Sequence, residues 1–171
     1  VCSSDLLEAT NGDKIRALTL DKFLELSLPF LLKSKVISGS QEEIAIVRSA
    51  LPIIQERIIK LSEIPSMLNF LFVKDFTIVH EESSKISDDA SQKILVTALA
   101  SIEGLGIWKT QEIEEGLRAA LIDGMGLKPR VAFSAIRIAI TGSHISPPLF
   151  ESLELLGKER SLERIRAAIS K

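Results

Sequence analysis

Residues 126–160, GLKPRVAFSAIRIAITGSHISPPLFESLELLGKER, spell out two helices and the loop between them. Pro129 suits the first position of a helix, where its missing N–H would have no intrahelical partner in any case, and Gly142 sits where a left-handed C-cap closes one. Between them Ala132, Phe133, Ile136 and Ile140 recur at helical spacing and form an apolar face. Arg130, Ser134, Arg137 and Thr141, at i, i+4, i+7 and i+11, line the opposite side. A helix that served only as packing has no need of two arginines and two hydroxyls on one stripe. The polar loop from Thr141 to Pro148 follows, in which Ser146 has the chemistry of an N-cap and Pro147 that of a first helical residue. A second helix is therefore expected from Pro147 to Leu156, ended by Gly157.

Helical periodicity continues upstream. Leu20 to Leu32 places apolar residues at 20, 23, 24, 28 and 31, with Pro29 expected to kink or divide the helix. Lys33 to Gly39 reads as a loop. Ser40-Gln41-Glu42-Glu43 is a capping box, and Ile44, Val47, Leu51, Ile54, Ile58 and Leu61 extend a stripe through one long or two abutting helices, with Pro52 as the expected break. Arg57 lies on the flank of that stripe. Ile64 to Val79 reads as a short helix at Pro65 and then an irregular segment, Phe72-Val73-Lys74-Asp75-Phe76, whose Val and Phe also suit a short strand. Ser87 is expected to cap a helix to Glu103 closed by Gly104, Thr110 a helix to Ile122 with Ile113, Leu117, Ala120 and Leu121 inward, and Ser161 the last helix, Leu162 to Ile169. The polar run His80 to Lys85 marks a soft boundary, giving two abutting helical bundle subdomains over 7–80 and 81–171 in an all-α chain.

Composition narrows the function classes. The chain has 171 residues, 46% hydrophobic and 5% aromatic, with no tyrosine and one tryptophan, which suits an Ile/Leu/Ala interior and argues against an aromatic base-stacking sheet. The formal net charge of -2 is not that of a dedicated nucleic-acid backbone binder, so any RNA contact must be local. No apolar run approaches the length of a membrane span. Residues 1–6, Val1-Cys2-Ser3-Ser4-Asp5-Leu6, read as a sequencing scar joined to a truncated gene, the alternative being a native, disordered N-terminus. Setting them aside removes the only cysteine, Cys2, and with it any disulfide, thiol nucleophile or thiolate metal site. His80 and His144 have no ligand-like neighbours at metal spacing, Asp88-Asp89 reads as favourable charge at a helix start, and Glu112, Glu114 and Glu115 as a solvated face.

The run from Gly126 to Arg160 resembles the C-terminal anticodon-binding region of bacterial-type glutamyl-tRNA synthetases, in which Gly-Leu-Lys, Ile-Arg-x-Ala-Ile-Thr-Gly-Ser, Ser-Pro-Pro-Leu-Phe and Leu-Leu-Gly-Lys-Glu-Arg occur in this order. Asn11-Gly12-Asp13-Lys14-Ile15-Arg16 is similar to the Asn-Gly-x-Tyr-Ile-Arg element after that family's catalytic domain, and Leu61 to Phe72 to its Leu-x-x-x-Pro-x-x-x-x-Phe-Leu-Phe segment. The resemblance runs from Leu7 to Lys171. It implies that residues 7–80 form a stem-contacting and first anticodon-binding subdomain and 81–171 the C-terminal one. It further implies that Arg137, Ser146, Pro147 and Leu149 contact anticodon bases, and that Arg57 stands where an arginine of discriminating members reads the third base. A guanidinium directs planar hydrogen bonds to base edges, hydroxyls adapt as donor or acceptor, and leucine can lie against an unstacked base. Lys128, Arg130, Lys158 and Arg160, with Arg164 and Arg166, are candidate tRNA backbone contacts from one end of the bundle.

The implied parent is a cytoplasmic, monomeric glutamate tRNA ligase that binds glutamate tRNA, with no DNA or membrane partner. Its ATP and Mg belong to a catalytic domain whose His-Ile-Gly-His and Lys-Met-Ser-Lys-Ser type signatures are missing here, so this chain alone is expected to hold no cofactor, metal or catalytic residue and to be inactive. Two departures bear on the contacts: Ser134-Ala135 stands where many members have Gln-Pro, and Lys14 replaces the usual aromatic. The residues by themselves leave a second reading open, a helical protein-interaction or structural bundle without RNA binding. In that reading Arg137 and Arg57 are surface or ion-paired arginines, and the basic C-terminal residues pair with interleaved Glu159 and Glu163.

Overall fold

The computed structural model describes residues 11–169, so the scar reading of residues 1–6, with Cys2, lies outside the described residues. The chain divides into two units between Lys74 and Asp75. That is earlier than the expected division after residue 80, and Phe76 accordingly stacks under Arg164 within the second unit. Among the described residues the fold is helical throughout and contains no strand. The strand expected at Phe72–Phe76 is absent: helix ends at Phe72, and Phe76 is held by a cation and by Gly142 instead of by a neighbouring strand.

In the first unit a helical turn at residues 11–16 precedes α1 (Leu20–Lys33), α2 (Gln41–Gln55) and α3 (Ile64–Phe72). Neither Pro29 nor Pro52 divides its helix. Both prolines are exposed, and the buried faces on either side, Phe23, Ser27 and Leu31 in α1 and Val47, Ala50, Leu51 and Ile54 in α2, outweigh one missing N–H bond each. The Ser40 capping box forms, and the Glu43 carboxylate also accepts from the Ser38 hydroxyl at 2.8 Å and the Gly39 N–H at 2.9 Å. These bonds, the Ser38 hydroxyl foremost, lower the Glu43 pKa to about 2. Gln55 ties the first turn to α2 by donating to the carbonyls of Ile15 at 2.8 Å and Leu18 at 2.9 Å.

The second unit comprises α4 (His80–Ser84), α5 (Asp89–Glu103), α6 (Thr110–Arg118), α7 (Pro129–Thr141), α8 (Leu149–Leu156) and α9 (Lys158–Ile169), with a π-helical turn, Ala119–Gly124, continuing α6. Its centre is α7, which touches α4, α5, α8, α9 and the π turn. The apolar face expected of α7 is wider than its periodicity suggests: Ala135, Ile138 and Ala139 are buried along with Ala132, Ile136 and Ile140. Pro129 opens this helix and Gly142 closes it at φ 77, as expected.

Four expected caps are corrected. Asp88, not Ser87, caps α5, accepting from the Ser91 N–H at 3.0 Å. Ser161 lies buried inside α9, which starts three residues earlier at Lys158. Helix α8 starts at Leu149, not Pro147, because the Ser146 hydroxyl is taken by Arg137. The start of α6 is capped from another helix: Glu154 of α8 accepts from both the N–H and the hydroxyl of Thr110 at 2.6 Å and from Lys109 at 2.9 Å. A carboxylate from elsewhere supplies the acceptor that a local Ser or Thr would otherwise offer to an unpaired first-turn N–H.

The Thr110 hydroxyl first, then Lys109 and the Thr110 N–H, lower the Glu154 pKa from 4.5 to about 2. A depressed carboxylate contributes stability that is present above its unfolded-state pKa and disappears as pH falls through the folded-state value. Glu154→Gln is therefore expected to cost roughly 1–3 kcal/mol at neutral pH. In urea titrations the difference from the wild type should narrow as pH drops from 4.5 toward 2; a difference unchanged at acid pH would show that the charge is not its source.

Candidate nucleic-acid interface

The polar stripe of α7 faces the loop that follows it. The Arg137 guanidinium, half-buried, donates through Nη1 to the Ser146 hydroxyl at 2.9 Å and the Pro147 carbonyl at 2.8 Å, so the helix holds its own outgoing loop. Thr141 donates to the carbonyls of Arg137 at 2.8 Å and Ser143 at 2.9 Å, and the Ser143 hydroxyl accepts from the Ile145 N–H at 3.1 Å. The loop thus keeps one shape through side-chain bonds, with no strand ladder beside it. Its exposed members are His144 and Ile145, the latter 66% exposed.

Of the residues expected to touch anticodon bases, Arg137, Ser146, Pro147 and Leu149 are brought together, but not on the surface. Ser146 is 7% and Leu149 3% exposed, and Pro147 is also buried. Leu149 begins α8 and packs inward, which the motif alone does not reveal. Beside Arg137 a groove of about 610 Å³ is lined by Lys85, Arg130, Phe133, Ser134 and His144. Cationic side chains line it and no carboxylate does, a local positive surface on a chain of net charge -2. Phe133 closes one side, stacked edge-on against Phe150 with ring centroids 5.1 Å apart and with Arg118 5.6 Å from its own centroid.

The remaining basic candidates separate by environment. Arg57 belongs to the first unit; it is exposed in the turn after α2, and no side-chain partner holds it among the described residues. Lys128 and Arg130 are exposed at the start of α7. Lys158 instead donates to the Leu105 carbonyl at 2.6 Å, and Arg160 is half-buried in the first turn of α9. Arg164 is 5% exposed, donates to the Ile140 carbonyl at 2.5 Å and lies 3.8 Å from the centroid of the Phe76 ring. Burial first, and neighbouring Arg160 second, lower its pKa to about 10, which leaves it charged at neutral pH. Arg166 pairs with Glu103. Arg164 thus packs within the bundle, satisfying a last-turn carbonyl of α7.

The anticodon binding domain family matches residues 22–169, nearly all of the second unit and most of the first. The chain belongs to that family. This anticodon-binding domain is 41% identical over 165 residues to the glutamate–tRNA ligase of Saccharopolyspora erythraea, a match covering 95% of this chain and 33% of the relative. It is 42% identical over 166 residues to the glutamate–tRNA ligase of a Nocardioides species, covering 95% and 34%. The chain spans about a third of the length of the curated relatives it matches. The crystal structure of a glutamate tRNA ligase from Elizabethkingia meningosepticum in complex with its amino acid superposes with a TM-score of 0.73 at 19% identity, covering 96% of this chain and 32% of that one. The glutamate-tRNA synthetase structure from Elizabethkingia anophelis gives 0.71 at 19%, covering 96% and 31%. At that identity the likeness speaks for the fold.

Sequence reasoning missed Lys85, His144 and the residue that joins them, Glu82. In this anticodon-binding domain Glu82 is 8% exposed and accepts from Lys85 at 2.6 Å and from the His144 N–H at 3.1 Å. His144 stands inside the motif that carries the family likeness, but the polar run containing Glu82 and Lys85 has the composition of a linker. The packing role of Arg164 is checked by thermal unfolding. Arg164→Ala should lose roughly 1–3 kcal/mol, since it strands a buried carbonyl, whereas Arg130→Ala should stay within about 0.5 kcal/mol of the wild type.

Proposed function

We propose that the chain is the tRNA-selecting part of a glutamate–tRNA ligase and binds the anticodon end of glutamate tRNA. The observation that carries this reading is the half-buried Arg137 guanidinium at the wall of a cation-lined groove, within a domain 41% identical to a glutamate–tRNA ligase over 95% of its length. Single-stranded anticodon bases are unstacked when bound and are read on their edges by planar donors, the chemistry that guanidinium supplies. Arg137 already donates to the Ser146 hydroxyl and the Pro147 carbonyl, so a base edge would exchange with these acceptors and find the Ser146 hydroxyl beside it. Pro147 and Leu149 hold the loop from below in this reading, and Arg57 reads a base from the first unit. Lys128 and Arg130, exposed at the start of α7, would meet phosphates of the same loop in this reading. Lys158 and Arg160 remain backbone candidates only if the tRNA displaces their present surroundings.

In the parent protein, glutamate is activated with ATP and Mg by residues beyond this region and transferred to the tRNA in the cytoplasm by a monomeric enzyme. This domain supplies selection and orientation: the correct anticodon fit holds the acceptor end toward the site of chemistry, a positioning contribution and not a chemical one. Its role in catalysis is therefore indirect.

Titration of the purified chain with glutamate and glutamine tRNA transcripts in parallel tests the reading. Binding of the glutamate transcript should weaken linearly on a log scale with rising salt, and Arg137→Ala should reduce its affinity by roughly 1–3 kcal/mol. Equal binding by the wild type and Arg137→Ala would remove Arg137 from base reading. No salt-dependent binding of either transcript would favour a helical bundle without an RNA role.

A further inference from the structure

The loop after α7 is held at both ends, and only one end is local. Its far end is fixed by Arg137 on Ser146 and Pro147. At its near end the Ser143 N–H donates to Thr141 at 3.3 Å and the Ile145 N–H to Ser143 at 3.1 Å, both within the turn. The amide between them, that of His144, donates to Glu82 at 3.1 Å, across 62 residues of sequence. The same carboxylate lies 2.8 Å from the His144 ring at Nδ1, which donates to it in the tautomer protonated there. Lys85 supplies a further bond to it at 2.6 Å. Burial by itself disfavours the charged form of Glu82, but the bonds from Lys85 and His144 win, and its pKa is lowered below the ordinary 4.5. An ionised, nearly buried carboxylate with donors already arranged around it has one shape available, and it imposes that shape on the turn.

We propose that Glu82 is a positioning residue for anticodon discrimination, setting the turn at Ser143–Ile145 so that Ser146 and Pro147 meet Arg137 in the geometry a base edge requires. The inference rests on the anticodon-reading role assigned above to Arg137. Glu82 touches no RNA in this scheme; it acts through His144. Simple electrostatics predicts the opposite of a positioning role, because removing a negative charge beside a cation-lined groove should strengthen binding of any RNA. Glu82→Gln separates the two, since it keeps the side chain's size while losing the charge and one acceptor oxygen.

The experiment measures the affinity of the purified chain for a glutamate tRNA transcript and for the same transcript with its middle anticodon base changed. The wild type should prefer the unaltered transcript, and Glu82→Gln should lower that preference by roughly five- to tenfold while binding the altered transcript as well as or better than the wild type does. Thermal unfolding of both proteins accompanies the titrations. A folded Glu82→Gln that keeps the full preference overturns the proposal and leaves the anticodon reading standing. A wild type without preference defeats the anticodon reading and this inference together. If Glu82→Gln does not fold, His144→Ala decides in its place: the His144 side chain is 53% exposed, and its removal takes away the ring's contacts with Glu82 and Lys85 while the residue's own N–H stays on Glu82. Loss of preference by about two- to threefold then supports the proposal and full retention overturns it.

Discussion

Every helix end leaves backbone N–H or C=O groups without an intrahelical partner, and in a bundle of short helices these groups lie close to a packed interior where water cannot serve them all. The second unit meets this requirement largely with side chains sent from other helices. Glu154 of α8 closes the start of α6, Arg164 of α9 closes the end of α7, and Lys158 accepts the same duty at the Leu105 carbonyl beyond α5. Trp108 donates to Leu153 in the last turn of α8 at 2.9 Å, and Gln92 reaches the carbonyls of Ile86 at 2.8 Å and Ala168 at 3.3 Å. Such bonds are each worth little, but leaving their acceptors or donors unmet is costly, so these residues are constrained by packing before they are available for anything else.

That constraint sorts the charged residues. On composition alone the basic side chains of the C-terminal third form one group of possible phosphate contacts. The structure assigns Lys158 and Arg164 to carbonyls and Arg166 to a carboxylate, while Lys128 and Arg130 stand exposed at the start of α7. What faces solvent as a coherent positive surface is therefore small: the groove lined by Lys85, Arg130 and Arg137. A small surface of this kind suits recognition of a few unpaired nucleotides better than tracking along a duplex, because the net charge of the chain gives no long-range attraction to add to it.

Loop 142–148 obeys the same constraint more strictly than any helix end. It has no ladder partner, so Thr141, Ser143, Arg137 and Glu82 satisfy its peptide groups one by one. Residues that appear, as types in a motif, to be offered outward for recognition are in fact partly used inward: Ser146 accepts from Arg137, and Leu149 fills the core at the head of α8. The loop can be stiff and still present a polar edge, since the groups that stiffen it are themselves polar.

The helices were legible because their evidence is local: apolar spacing of 3 and 4, Pro129 at a first turn, Gly142 at a left-handed close and the Ser40 box all act within a few residues. The apolar core of α7, the family likeness and the choice of Arg137 followed from the same short-range patterns. The prolines at 29 and 52 misled because their local cost was small beside burial that depends on distant partners. Caps at Ser87, Thr110, Ser146 and Ser161 misled for a related reason, since a hydroxyl before a helix is only one of several acceptors that folding can bring there. Sequence by itself therefore determined the all-α class, the positions of the longer helices and the arginine on the polar stripe, but not α4 or the starts of α8 and α9. Tertiary structure alone decided which acceptor caps each helix, which arginine is buried against Phe76, and that Glu82 belongs to the loop 62 residues later, because a hydrogen bond between distant segments leaves no periodicity in the chain to read.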